Sequence, residues 1–509
     1  MVISLRDKIF KFPIHTFLFS LFPLMFFFQM NIHELFFEDV VFPLFLSILV
    51  TFVFWIILQR LIGSKRSGLI ISLLIMCLIN LGNISLFISE DPNESITSSL
   101  EQQVLVIVLL ILSVLGIIYF IKTKTLDDKT SIANVISITM IGFLVFNIST
   151  FAIMTSDDES SLEFSMVPIQ ISDIENKPDI YFIILDEYAG FLQLENDFGY
   201  DNEEFRIELE KRKFSVVENS FSNYPNTSLS IPSIMNMIYF DFIPEHLGND
   251  SKNINVVQKM INKNNVMKIL KANNYKITTL DGAVGRTATT TLADDRLCTN
   301  IFDINPDIRK NFALVYVPIV GLRDFVFEEI IRDKLECSFE ALTNFQNAEN
   351  PNFVVAHLRF PHSPYIYDSV GNSVSVNDVG DKNAYLEQLK FSSKKAIKII
   401  DKIQERSSNI VIILISDHGY RHYINWTDPV PEDYIRGFNN LVAVYLPNEN
   451  EIEVNGPVNL FRSVFNSSLN MDYEILDNRQ IWYSPERPFD HKDVTNIIKD
   501  YQKIFSNET

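Results

Sequence analysis

Asp417 and His418 follow closely on six uninterrupted apolar residues, Ile410 to Ile415. A carboxylate and an imidazole side by side can hold a divalent cation. The same stretch, with Gly419 behind it, also reads as a strand-ending turn in which the Asp caps the next element. Two further places offer matching chemistry. Asp186 and Glu187 come directly after the apolar run that ends at Leu185, and His357 and His362 flank a proline-bounded loop, with Pro361 and Pro364 around His362. A fourth stretch, Asn219 to Met237, crowds hydroxyl groups around Thr227, Ser228 and Ser230. Together these side chains form a recipe for metal-assisted group transfer. A cation held by Asp and His lowers the pKa of a hydroxyl and orients it, and imidazoles steady an anionic phosphate or sulfate. His and carboxylate ligands favour zinc or manganese, whereas an all-oxygen site favours calcium or magnesium.

Four of the segments that must position these groups read as strands: Asp179–Leu185, Lys276–Leu280, Asn352–His357 and Asn409–Ile415. Short β-branched apolar runs suit strands buried on both faces, as in a parallel sheet. Phe214–Val217 and Asn440–Leu446 read as two more strands, and Asn202–Lys213, Val266–Asn273 and Tyr385–Arg406 as helices. The alternation predicts an α/β domain with a mostly parallel sheet covered by helices on both faces. Chemistry in such sheets gathers beyond the carboxyl ends of the strands, where Asp186, His357 and Asp417 all fall. Pro232 marks a helix start near Thr227. A hydroxyl there serves either as an N-cap or as part of an anion site on the unpaired N–H groups.

The first third of the chain differs in character. Five apolar stretches, Phe12–Met30, Val41–Gln59, Gly68–Ser89, Val104–Ile121 and Ser131–Met154, each approach the ~20 residues that a bilayer requires. Basic residues occupy alternate loops (Arg6, Lys8 and Lys11; Arg60, Lys65 and Arg66; Lys122, Lys124 and Lys129), and the intervening loops are acidic. This pattern predicts a cytoplasmic N-terminus and an extracytoplasmic remainder. His15, Asn80 and Asn83 lie within spans, where they either bond a neighbouring helix or line a groove. The expected organisation is a membrane domain over 1–154, a polar linker over 155–177, an α/β domain over 178–490 and an exposed helical tail over 491–509. A net charge of −20 argues against a nucleic-acid partner. Cys298 and Cys337 either pair with each other or remain two free thiols.

The motifs ILDEYAG, TSLSIPS, HLRFPHSPY and ISDHG, in this order, resemble the alkaline phosphatase/sulfatase superfamily. Five spans ahead of an extracytoplasmic domain are similar to the arrangement in lipoteichoic acid synthases and phosphoethanolamine transferases. The resemblance implies a single divalent metal held by Asp186, Glu187, Thr227, Asp417 and His418, with Thr227 as the nucleophile. It further implies that His362 contacts the transferred group and that His357 supports it. Ser230 stands where a sulfatase C/S-x-P-x-R motif would place its nucleophile, but Ile234 replaces the arginine of that motif. The continuation YRHYINW after the SDHG motif also departs from the transferase pattern.

The activity that this resemblance implies is transfer of a phosphodiester headgroup from a lipid donor to an extracytoplasmic glycan or lipid, through a phospho-threonine. The alternatives are a phosphodiesterase or sulfatase of the same fold, or a catalytically silent membrane protein used for binding or assembly.

Overall fold

A computed structural model describes residues 12–79, 100–161, 167–284, 287–299, 320–345, 351–376, 378–447 and 452–506. The chain divides into two compact units, one comprising 1–157 with 307–327 and the other 158–306 with 328–509.

In the first unit, Phe37–Ile62, Val104–Lys122 and Leu126–Thr155 are helices long and apolar enough to cross a membrane. Fewer spans are therefore seen among the described residues than the five expected. The first apolar helix, His15–Met30, has 16 residues. At 1.5 Å per residue it is about 24 Å long, short of a bilayer core. The third expected span starts as helix Ser64–Leu74, continues as a π-helical turn Ile75–Ile79, and then passes outside the described residues, taking Asn80 and Asn83 with it. His15 bonds to neighbouring helices: its Nδ1 lies 2.6 Å from Ser72 Oγ, and its backbone N–H donates to Asn134 Oδ1 at 2.9 Å.

The strands of the second unit, in chain order, are β1 (Asp179–Leu185), β2 (Ser215–Val216), β3 (Lys276–Gly282), β4 (Asp295–Leu297), β5 (Asn352–Leu358), β6 (Tyr365–Tyr367), β7 (Ser373–Val376), β8 (Ile410–Ile415), β9 (Val442–Tyr445), β10 (Ile481–Ser484) and β11 (Arg487–Asp493). Seven of them form one sheet in the order β2-β9-β8-β1-β5-β3-β4. The pairs around β1, β5, β3 and β4 are parallel. β9 runs antiparallel to β8, and β2 antiparallel to β9. β8 is buried at every position, and β1 at every position after Asp179.

Both faces of the sheet are covered. Ile180, Phe182 and Ile184 of β1 share a buried cluster with Ile231, Ile269 and Phe461 from three helices. On the other face Ile183, Leu185, Leu358 and Leu414 surround a small cavity with Phe339 and Ile399, which belong to the helices Val320–Asn344 and Lys382–Gln404. This alternation along β1 is the two-residue period of a strand. Register then aligns the chemistry. Ile184 of β1 pairs with His357 of β5 and with Ile415 of β8, so Asp186, His357 and Asp417 emerge together at the carboxyl edge.

Cys298 and Cys337 are paired, not free. Their disulfide ties the end of β4 to the helix Val320–Asn344. The segment expected to be an exposed tail instead joins the domain. β11 crosses residue 490, and Val494 and Ile498 pack with Phe221, Tyr434, Phe438 and Trp482.

Candidate active site

The helix Thr227–Asn236 brings the hydroxyl to the sheet edge. It begins at Thr227 because Asn226 adopts an extended backbone and its side chain accepts from Ser228 N–H as the N-cap. Thr227 is thus the first helical residue. Its Oγ1 donates to Asp417 Oδ2 at 2.5 Å and lies 3.1 Å from His418 Nε2. Ser230, one turn on, donates to the backbone carbonyl of Asp417 at 2.6 Å and is buried. Its hydroxyl braces the Asp417 turn from beneath.

Asp186, His357 and Asp417 are fully buried and place their ligand atoms within 4.8 Å of one another. Among the described residues, Asp186 Oδ1 and His357 Nε2 have no hydrogen-bond partner. Burial, and then the Asp417 charge, push the Asp186 carboxyl well above its ordinary range. Burial also works to raise Asp417, but His418, His357 and Thr227 outweigh it and hold the carboxyl below its ordinary range. His418 adds a geometric constraint. Its Nδ1 sits 2.8 Å from the Gly419 carbonyl, which can only accept, so Nδ1 carries the proton. Nε2 therefore presents a lone pair to Asp417 Oδ2 at 3.1 Å. Two carboxylates and two imidazole nitrogens converging in a buried site call for a cation among them. The donor set of two carboxylates, two imidazoles and a hydroxyl fits a zinc- or manganese-type ion.

His357 lies in this cluster, and its Nδ1 contacts Thr287 Oγ1 at 3.2 Å. Burial lowers its pKa to about 4. Glu187 is placed differently. It has a left-handed backbone, φ 61°, and its N–H donates to Asp417 Oδ1 at 3.0 Å. Its carboxylate faces His422 Nε2 at 3.4 Å, Arg421 Nε at 3.6 Å and His362 Nε2 at 3.8 Å. Burial works to raise Glu187, but its neighbours His362, His422 and Arg421 outweigh burial and hold it below its ordinary range. His362 has its pKa lowered to about 3, chiefly by burial. Its Nδ1 donates to the Ser363 carbonyl at 2.7 Å, so Nε2 is again the acceptor.

The fold thus gathers Asp186, Thr227, His357, Asp417 and His418 into one cluster, with Glu187 and His362 in an adjoining one. Thr287, Arg421 and His422 join them without belonging to any of the four motifs. The last two stand in the YRHYINW stretch, whose basic residues so soon after Asp417 were the available signal.

Residues 183–436 match the family model described as Sulfatase. The chain is similar in structure to the integral membrane lipooligosaccharide phosphoethanolamine transferase A from Neisseria meningitidis, with 12% identity, 86% of this chain and 88% of that chain covered, and a TM-score of 0.37. It is similar as well to the C-terminal periplasmic domain of EcEptC from Escherichia coli, with 12% identity, coverage of 63% and 94%, and a TM-score of 0.41. A protein in the alkaline phosphatase superfamily from Vibrio parahaemolyticus is 14% identical, with coverage of 64% and 79% and a TM-score of 0.37. None of the curated proteins matches the chain.

Proposed function

Because the chain belongs to the sulfatase family through residues 183–436, whose members are enzymes acting on phosphate or sulfate esters, we propose that it transfers a phosphodiester headgroup from a membrane lipid to an extracytoplasmic glycan or lipid. The observation that carries this reading is the placement of Thr227 Oγ1, on the first turn of a helix and bonded to Asp417 beside the buried acid–imidazole cluster.

In the first step Thr227 Oγ1 attacks the phosphorus of the donor. The new Oγ1–P bond forms, the P–O bond to the lipid breaks, and the lipid alkoxide takes a proton from solvent water as it leaves. Asp417 Oδ2 holds the threonine proton, and the N–H groups of the helix start face the developing charge. In the second step the acceptor oxygen attacks the same phosphorus, its O–P bond forms as the Oγ1–P bond breaks, and Thr227 Oγ1 takes its proton back from Asp417 Oδ2. His362 contacts the transferred group, and its Nε2 lone pair orients the incoming hydroxyl, whose proton passes to solvent. Asp186, His357, Asp417, His418 and Thr227 would hold the divalent ion. When bound, such an ion would supply a lowered pKa for the threonine hydroxyl and charge stabilisation for the phosphoryl oxygens. Membrane helices would hold the chain in the bilayer that supplies its lipid donor. The Cys298–Cys337 disulfide supports an oxidising, extracytoplasmic location.

The test is metal content and intact mass of the full chain in detergent, as wild type, Thr227→Ala and Asp417→Ala, after incubation with phospholipid. We expect a bound divalent ion that Asp417→Ala loses, and a headgroup-phosphate adduct on Thr227 that Thr227→Ala cannot form. Adding a glycan or lipid acceptor then separates transfer from release to water. Full transfer by Thr227→Ala would overturn the nucleophile. No metal in any of the three proteins would favour a silent binding role.

A further inference from the structure

The charged groups acting on Asp186 and Glu187 are the acids themselves with Asp417, and a basic set of Arg359, Arg421, His422 and His362. The carboxylates, Asp186, Glu187 and Asp417, are at most 4% exposed. The basic side chains Arg421, His422 and His362 remain 20, 21 and 16% exposed. An arriving ligand therefore meets the basic set, while the acids are withdrawn beneath it.

Arg359 and Arg421 are the permanent positive charges near these acids, and Arg421 is the one whose side chain faces Glu187. Its position is fixed at two points. Its backbone N–H donates to Glu187 Oε1 at 3.3 Å, and its carbonyl accepts from Ile424 N–H at 3.2 Å. Its Nε edge faces Glu187 at 3.6 Å. Among the described residues, neither terminal guanidinium nitrogen makes a hydrogen bond within the protein. Its charge is nevertheless felt at Asp186, Glu187 and His362, and at Tyr483, whose hydroxyl lies 3.1 Å from the Oγ of Ser228, the neighbour of Thr227. A guanidinium fork held on one edge and open on the other is suited to paired oxyanion oxygens. An ammonium group in the same place would meet the like charge of Arg421, with the Glu187 carboxylate only 1% exposed behind it.

We propose that Arg421 determines specificity at this site, selecting an anionic phosphodiester headgroup with no positive charge and rejecting a zwitterionic one that ends in an ammonium. This inference rests on the headgroup-transfer reading and goes beyond it by fixing the charge class of the donor. Arg421 binds non-bridging or distal anionic oxygens; the bonds made and broken are those of the Thr227 displacement.

The experiment uses the full chain in detergent with vesicles of phosphatidylglycerol or phosphatidylethanolamine, and measures the headgroup adduct on Thr227 and the rate of its formation. We expect wild type to favour phosphatidylglycerol by about tenfold or more, the energy of a charge-assisted hydrogen bond or two. Arg421→Gln should bring the ratio close to one through KM, and Arg421→Glu should invert it. A second arm titrates inorganic phosphate into the same proteins. Affinity should fall about tenfold in Arg421→Gln and much less in Arg421→Lys. Equal thermal midpoints for wild type and Arg421→Gln exclude misfolding as the cause. Equal use of both lipids by wild type, or unchanged phosphate affinity in Arg421→Gln, overturns the proposal. If wild type forms an adduct with neither lipid, the transfer reading fails by itself, and the phosphate arm still decides the role of Arg421.

Discussion

Thr227 and Ser230 are both hydroxyls on one helix turn, and only geometry separates them. Ser230 is committed to the Asp417 carbonyl, whereas Thr227 faces the cluster. We expect Ser230→Ala to retain the covalent adduct and lose about 1 kcal/mol of stability, the net worth of one buried hydrogen bond, as read by urea unfolding. Asp186 and Glu187 pose the same problem in neighbouring positions. Both acids were legible as strand-end carboxylates, but their division of labour was not. A left-handed backbone at Glu187 sends one side chain into the cluster and the other towards Arg421 and His422, and nothing in a pair of adjacent acids reports φ. His357 has a consequence for pH. Burial lowers its pKa to about 4, against 6.5 when unfolded. Above pH 6.5 it is neutral in both states and costs nothing. Between 6.5 and about 4 the unfolded chain takes up a proton that the folded chain refuses, so stability falls as pH falls. Below about 4 both states are protonated and this loss stops growing. Urea unfolding of the metal-free protein from pH 7 to 4.5 should show that slope, and His357→Gln should make it shallower while His362, lowered to about 3, keeps its own share.

The apolar runs of β1, β5 and β8 announced themselves because strands buried on both faces leave no room for polar residues. Their in-register parallel pairing then placed the chemistry at one edge, as the alternation of strands and helices implied. The direction of β9 was not legible. A fully buried strand has the same composition whichever way it runs, and β9 proves antiparallel to β8. A helix start near Thr227 was legible from Pro232 and the hydroxyls ahead of it, but Asn226, the cap that fixes it, did not stand out. The turn after β8 is tight for a reason of packing. A Cβ on Gly419 would overlap the backbone oxygens of Arg436 and Asn439. Since the Gly419 carbonyl also fixes the His418 tautomer, Gly419→Ala should damage both stability and metal binding. We expect a loss of about 2 kcal/mol or more from overpacking, together with weakened cobalt or zinc affinity, by thermal melt and metal titration.

The whole molecule joins apolar helices able to cross a membrane to a domain whose site lies wholly within its own compact unit. Composition displayed that division clearly, since long apolar stretches and a −20 charge cannot share one soluble core. Sidedness needs a separate argument. Alternating basic loops favour a cytoplasmic N-terminus, and a disulfide between Cys298 and Cys337 favours an oxidising compartment for the domain that holds it. The two lines are independent, one electrostatic and one redox, and they agree. A fluorescent protein that matures only in the cytoplasm, fused after Thr509, should therefore stay dark, while the same protein fused before Met1 should shine. The bridge spans 39 residues of sequence, so its loss should cost about 2–4 kcal/mol in the Cys298→Ser, Cys337→Ser double variant, by thermal or urea unfolding. A bright C-terminal fusion, with both thiols alkylated in the unreduced protein, would put the domain on the cytoplasmic side. The lipid donor would then be drawn from the inner leaflet, and the extracytoplasmic acceptor would fall with it.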